Sequence, residues 1–184
     1  MNLIRASIPD LLICEPTKLE DERGFFLESY RKNALEESLG YSLSFCQENL
    51  SESKYGVVRG LHFQLEPYAQ SKLVSVVKGT ILDVAVDIRK NSKFYGQSFS
   101  IELDDKNNKQ LFIPKGFAHG FIVLSKIARV NYKVTNYYNP KYERGLNYND
   151  PLLGIDWRIN EKLIFTNKKD TNYSPFDSEI FFNK

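Results

Sequence analysis

The 184-residue chain has only two histidines, and each stands in a glycine-punctuated stretch with a cation just upstream. His62 lies in Gly56-Val57-Val58-Arg59-Gly60-Leu61-His62-Phe63-Gln64, and His119 in Ile113-Pro114-Lys115-Gly116-Phe117-Ala118-His119-Gly120-Phe121. Histidine is the side chain whose unperturbed pKa lies nearest neutrality, so it is the first residue to weigh for proton transfer. A lone histidine among apolar neighbours is more often a core residue than a catalyst. Here the glycines, with Arg59 and Lys115, suit a backbone and a charge closing on an anionic ligand. Such a histidine works as a general base once a carboxylate holds its ring in one tautomer. Many carboxylates qualify by sequence, and periodicity selects none of them.

Three further residues carry a chemical and an ordinary reading side by side. Tyr132 shares the apolar face of its run with Val130 and Val134, as a core tyrosine does, but from a barrel interior it would donate a proton. Lys72 follows Ala69-Gln70-Ser71 and leads into an apolar run; at a strand edge it is ordinary, and pointing inward it would stabilise an oxyanion. Arg23, in Asp21-Glu22-Arg23-Gly24-Phe25-Phe26, reads equally as a solvated turn residue or a phosphate ligand.

A metal centre would want two or three imidazoles and a carboxylate on one ion. Pro114-x-Gly116-x-x-His119 resembles the second cupin motif, and His62 falls where the first would begin. Gln64 stands where that first motif needs its next histidine, so a metal cage would be under-liganded. Cys14 and Cys46 are far apart, without the spacing of a zinc knuckle or redox pair. The expectation is a site with no metal and no cofactor.

The elements that must position these residues repeat with period two. Leu82, Val84, Val86 and Ile88 alternate with Asp83, Ala85, Asp87 and Arg89, the pattern of a half-buried strand. Leu73 to Val77 is a second β-rich run, and Lys78-Gly79-Thr80 between the two reads as a tight hairpin. Ala128 to Val134 and Phe99 to Leu103 alternate as well, with a turn at 104–108; shorter strands are expected at 4–8, 11–15, 24–30, 60–64 and 120–124. Only 33–39 looks helical, with Asn33 as N-cap and Glu36 three residues later. The C-terminal third, rich in Tyr, Asn, Pro and Lys, predicts loops and short helices over the strands. The whole reads as one mostly β domain over 1–184, a sandwich or barrel of the jelly-roll type. Strand parity adds a condition: on a regular strand Arg59 and His62 face opposite ways, so both reach a ligand only if Gly60 marks a bulge.

Composition narrows the partners. The 25 basic and 23 acidic residues are interspersed, which argues against a nucleic-acid polymer and leaves room for a small anion. No apolar run approaches the ~20 residues that span a bilayer, and no signal peptide is evident, so a cytoplasmic protein with reduced thiols and no membrane partner is expected.

Together these stretches carry a resemblance. Asp21 to Glu28, Gln47-Glu48-Asn49-Leu50-Ser51, Gly56 to Gln64, Ala69 to Val74, Asp83 to Arg89, Ile113 to Phe121, Tyr132-Lys133, Asn149-Asp150-Pro151 and Ile155-Asp156-Trp157 resemble, in order, the motifs of the dTDP-4-dehydrorhamnose 3,5-epimerase family. That family comprises metal-free cupins acting on nucleotide-linked 4-keto-6-deoxy sugars, and the similarity spans about Leu3 to Asp170. It implies His62 as general base, Asp170 as its orienting carboxylate, Tyr132 as the acid on the opposite sugar face, and Lys72 near the C4 keto oxygen. It implies Arg23 and Arg59 at the diphosphate. Gln47, Asn49, Glu28, Glu143, His119 and the lysine before Asp170 would line the nucleotide and sugar pocket, between aromatic walls Phe26 and Tyr138. It further implies a homodimer that exchanges N-terminal strands, so that Arg23, Phe26 and Glu28 complete the neighbour's site.

Two departures from the family pattern stand out. Arg158 replaces the proline usual after Trp157, and the Ser-x-Lys-Asp segment is stretched by one residue in Phe165 to Asp170, leaving Lys168 and Lys169 as alternatives. The activity expected is inversion at C3, C5 or both, most simply converting dTDP-4-keto-6-deoxyglucose to dTDP-4-keto-rhamnose in deoxysugar and polysaccharide biosynthesis. A single-centre epimerase on another nucleotide sugar, a 3,4-ketoisomerase and a non-catalytic sugar-nucleotide-binding cupin remain the alternatives.

Overall fold

Residues 1–176 are described by a computed structural model, in which the alternating runs pair into two antiparallel sheets and a small ribbon. The strands are β1 (Asn2–Arg5), β2 (Leu12–Glu15), β3 (Lys18–Asp21), β4 (Gly24–Leu27), β5 (Gln47–Lys54), β6 (Val58–Gln64) and β7 (Lys72–Lys78). They continue with β8 (Thr80–Asp87), β9 (Ser98–Asp104), β10 (Gln110–Ile113), β11 (Phe117–Val123), β12 (Ile127–Val134) and β13 (Glu143–Gly145). One sheet runs β1-β2-β10-β7-β12-β5, the other β13-β6-β11-β8-β9, and β3-β4 form the ribbon. The architecture is an all-β jelly roll. No helix among the described residues is long and apolar enough to cross a membrane.

Two apolar layers hold the sheets in place. Between them, Val74, Val76, Leu111, Ile113, Ala128 and Val130 of the larger sheet meet Ile81, Ala85, Leu103, Phe117, Phe121 and Val123 of the smaller. The outer face of the smaller sheet is also covered: Leu82, Val84, Val86, Leu61 and Phe63 pack under Leu146, Leu153 and Trp157 from the C-terminal third. Each Val, Leu, Ile or Phe among them, fully buried, contributes roughly 1.5–3 kcal/mol. The Trp157 indole N–H donates to the Tyr148 carbonyl at 2.9 Å, so the cover is pinned as well as packed. The expected loops and short helices are there, as a 3₁₀ turn at Glu161–Leu163 and helix α2 (Lys168–Thr171).

This double burial corrects the reading of β8 as half-buried. Its Leu82-Val84-Val86 face lies under the C-terminal cover, and its Asp83-Ala85 face lies inside the jelly roll; Asp83 is completely buried. The polar residue of the alternation points inward.

The expected hairpin at Lys78-Gly79-Thr80 is also absent. β7 pairs with β10 and β12 while β8 pairs with β9 and β11, so Gly79 (φ +81°) turns the chain from one sheet to the other. A Cβ there would sit 2.2 Å from the Ile127 carbonyl oxygen, which restricts this corner to glycine.

Helix α1 (Lys32–Leu39) begins one residue before the expected cap. Arg31 is its N-cap with no side-chain hydrogen bond, and Asn33 instead holds the next amide, Ala34 N–H, at 3.0 Å. Two expected strands are shorter: β1 ends at Arg5, leaving Ile8 in the core, and β4 ends at Leu27. Strands β3, β5, β10 and β13 lie outside the expected runs.

Candidate active site

A cavity of about 380 Å³ opens between the sheets, beside the apolar layer, and both histidines line it. Gly60 is what lets His62 and Arg59 enter it together. Along β11, His119 pairs with His62 and Phe121 with Arg59, so β6 carries one extra residue across that interval. Val58 packs outward before this bulge, and Leu61 and Phe63 pack outward after it, leaving Arg59, His62 and Gln64 on the cavity side. Gly60 has φ +117°, and a Cβ on it would lie 2.6 Å from Gly120 Cα and from the His119 carbonyl oxygen. Only glycine fits this crossing.

His62 Nε2 lies 2.8 Å from Asp170 Oδ1. The other carboxylate oxygen, Oδ2, accepts from Gly60 N–H at 3.1 Å, so the bulge and the carboxylate hold one another. Asp170 arrives on α2, whose N-cap Asn167 accepts from the Asp170 amide at 2.8 Å. Burial alone would raise the Asp170 carboxyl, but the His62 contact, the Gly60 amide and Lys169 outweigh it and keep the group below the ordinary aspartate range. An ionised Asp170 takes Nε2–H and leaves Nδ1 as the basic nitrogen.

A second pair lies deeper. His119 Nε2 is 2.8 Å from Asp83 Oδ1, both wholly or nearly buried. Burial pushes the His119 pKa down, and the nearby Lys72 ammonium adds to this, against the pull of Asp83. Lys72 Nζ crosses from β7 on the larger sheet to donate to the His62 carbonyl on the smaller, at 3.3 Å. Its pKa is lowered to about 8 by burial, and Asp83 and Glu143 keep it from falling further. At neutral pH it is a cation held in the cavity.

Tyr132, on β12, faces the cavity from the larger sheet, across from His62 on the smaller. Its hydroxyl has no hydrogen-bond partner among the described residues, and burial raises its pKa, so the phenol stays protonated. The inward residues of β5, namely Gln47, Asn49 and Ser51, complete that wall; the Ser51 hydroxyl is buried and unpartnered among the described residues. Arg59 is fixed by its Nε–H to Ser53 Oγ at 2.8 Å. At the rim the Tyr138 hydroxyl donates to Glu143 at 2.6 Å, and Lys169 pairs with the same carboxylate oxygen. Of the two lysines before Asp170, Lys169 is the one joined to a cavity residue.

Arg23, Phe26 and Glu28 are not brought to this cavity. Arg23 and Phe26 lie on the β3-β4 ribbon and Glu28 just beyond it. The Arg23 side chain is 85 % exposed and bridges Asp21, Phe26 is 70 % exposed, and Glu28 pairs with Arg31. Conversely, Ser51, Gln70, Asn167 and Phe121 line the cavity without an assigned role, and Asp83 stands behind it as the partner of His119. The inward parity of Asp83 was the available signal, once both faces of β8 are taken as buried. Gln64, where a metal-binding cupin would place histidine, is occupied structurally: its amide N–H groups bind the Tyr68 and Tyr137 carbonyls and its oxygen accepts from Asn139. Among the described residues no three His, Cys, Asp or Glu side chains converge as a metal-binding group.

Comparison with known proteins identifies the family. The family model described as dTDP-4-dehydrorhamnose 3,5-epimerase matches residues 5–178. The chain is 51% identical over 170 residues to the dTDP-4-dehydrorhamnose 3,5-epimerase of Escherichia coli K12, covering 92% of each sequence. It is 47% identical over 182 residues to that of Shigella flexneri, covering 99% of each. Among solved structures, the dTDP-6-deoxy-D-glucose-3,5-epimerase of Legionella pneumophila, in complex with dTDP-4-keto-L-rhamnose, superposes with a TM-score of 0.94 at 45% identity, covering 100% of this chain and 98% of that one.

Proposed function

Because this chain belongs to the dTDP-4-dehydrorhamnose 3,5-epimerase family, an isomerase family, we propose that it inverts C3 and C5 of dTDP-4-keto-6-deoxyglucose, yielding dTDP-4-keto-rhamnose. The observation that carries this reading is the entry of His62 and Tyr132 into one cavity from opposite sheets, with Lys72 in the same cavity reaching the His62 carbonyl.

Hydrogens at C3 and C5 are acidified by the C4 ketone they flank. His62 Nδ1 takes one, the C–H electron pair moves into the ring, and C4 oxygen becomes an enolate beside the Lys72 ammonium. Tyr132 then returns a proton to the opposite face of the same carbon, and exchange with water resets imidazolium and phenolate. Acid–base groups of this kind contribute about 10²–10⁴-fold each, and an oxyanion donor about 10²–10³-fold. Since C3 and C5 flank one carbonyl, a single lysine serves both inversions. His119, Glu143, Gln47, Asn49 and Lys169 line the path to the nucleotide, with Arg59 at the diphosphate and Tyr138 as an aromatic wall. Chemistry of this kind calls on no cofactor, and the two free cysteines suit the cytoplasm.

Arg23, Phe26 and Glu28 do not reach the His62 cavity of their own chain, which supports a homodimer whose exchanged ribbons complete the partner's nucleotide site. Arg23→Ala then weakens dTDP binding in calorimetry and leaves the dimer intact on size exclusion; unchanged affinity refutes the exchange. For the reaction itself, the protein is incubated with dTDP-4-keto-6-deoxyglucose in D₂O and followed by proton NMR. Loss of both H3 and H5 signals supports the proposal, and loss of one makes this a single-centre enzyme. Transfer of the keto group to C3 makes it a ketoisomerase, while binding without exchange makes it a sugar-nucleotide-binding module.

A further inference from the structure

Tyr173 lies against the His62 ring without lining the cavity. The two rings meet edge to face, with centroids 5.6 Å apart and planes at 72°. Tyr173 rests on Gly145, the β13 residue paired with His62 across the β13-β6 ladder. A Cβ on Gly145 would fall 2.4 Å from two of the tyrosine ring carbons. Gly145 is not among the glycines with positive φ, so its backbone would accept any residue; what it supplies is space for the ring. The Tyr173 hydroxyl is buried and has no hydrogen-bond partner among the described residues, and burial pushes the phenol up to about 12. The contact is therefore made by the ring, not the hydroxyl. Its place is fixed on both sides in sequence, by α2 and by the Asn147 amide donating to the Ser174 carbonyl at 3.2 Å.

A carboxylate on Nε2 sets the tautomer of an imidazole but leaves it able to swing about the N···O line. A second contact at the ring removes that freedom. We propose that Tyr173, seated on Gly145, is a positioning residue that locks the His62 ring in its Asp170-bound orientation and keeps water from that hydrogen bond. Asp170 and Tyr173 stand three residues apart, so one short segment delivers both constraints. The catalytic consequence rests on the reading of His62 as the base; the ring-locking itself does not.

The test uses the full chain with ¹⁵N-labelled histidine, in which only two imidazoles report. Tyr173→Ala is expected to speed water exchange of the His62 Nε2–H proton at least tenfold, about as expected for an opened contact. Tyr173→Phe leaves it unchanged. In turnover, Tyr173→Ala and Gly145→Ala each lower kcat by roughly 10- to 100-fold with KM held within about twofold, the scale of a slightly misplaced base. Gly145→Ala adds nothing in the Tyr173→Ala background, where the ring it displaces is already gone. An unchanged Nε2–H signal in Tyr173→Ala, a Phe variant as impaired as the Ala variant, or additive losses in the double variant overturns the proposal. If the parent protein shows no epimerisation, the reading of His62 as base fails, while the imidazole signal still decides the role of Tyr173.

Discussion

The two histidine–aspartate pairs have the same contact, Nε2 to Oδ1 at 2.8 Å, but different surroundings. His62 is 29 % exposed at the side chain, toward the cavity, and takes its carboxylate from the C-terminal segment. His119 is 7 % exposed and takes its carboxylate from the adjacent strand β8. The second oxygen of Asp170 accepts from the Gly60 amide, whereas Asp83 Oδ2 is buried without a partner among the described residues. Hydrogen-bond chemistry alone therefore does not assign a role; access and the neighbouring charge do. A half-open imidazole can exchange protons with substrate and water, while the buried one, held neutral beside Lys72, serves as a fixed wall. The carboxylate of the deep pair matters through the lysine, whose charge it supports.

That contrast is sharpest in the imidazoles themselves. His62→Ala should cost about 10²–10⁴-fold in solvent exchange at C3 and C5, as expected for loss of a general base. His119→Ala should affect mainly KM; if it abolishes exchange equally, the two pairs are not distinct in the way argued. Next comes Asp170→Asn, which keeps the shape but loses the anion and should lower kcat by roughly 10²–10³-fold, read by single-turnover NMR. Lys72→Met separates function from stability. Exchange should fall about 10²–10³-fold, yet the protein should gain roughly 1–3 kcal/mol at pH 7, where the native lysine is charged against the pull of burial. The sign follows from the folded pKa of about 8 lying below the ordinary lysine value: the cost of charging is present below pH 8 and relieved as pH rises above it. Thermal melts at pH 7 and 10 check it, since the advantage of Met should shrink at the higher pH.

The smallest effect distinguishes the two carboxylates most finely. Activity should decline as pH rises through about 8, when Lys72 loses its proton. Asp83→Asn should move that limb to lower pH and reduce kcat at pH 8 by roughly threefold, because a charge that held the lysine protonated is gone. Asp170→Asn should leave the limb in place. A pH profile of kcat for the two variants compares them directly, and a shift in both would merge the pairs into one electrostatic unit.

The same division between access and chemistry explains what could be read in the chain. β7, β8, β9 and β12 were evident because alternating apolar residues fit a sheet whatever lies opposite. β5 was not, because its inward face is Gln47, Asn49, Ser51 and Ser53, and its one large apolar residue, Leu50, is 67 % exposed. A strand that lines a polar cavity inverts the usual pattern, and β8 inverts it at Asp83, which is buried against His119. The parity conflict between Arg59 and His62 was stated by the sequence, and the bulge at Gly60 resolves it.

The residue types needed for proton transfer, the period-two elements that could carry them and the glycine on which the bulge depends all follow from the sequence, because each is a local property of a few consecutive side chains. Which carboxylate meets which histidine is not local. His62 and Asp170 are 108 residues apart, His119 and Asp83 are 36 apart, and Tyr173 reaches His62 only because Gly145 leaves it room. Only the folding of the C-terminal segment over one sheet, and the crossing of the chain between sheets at Gly79, brings those groups together and decides which pair faces the cavity and which is sealed.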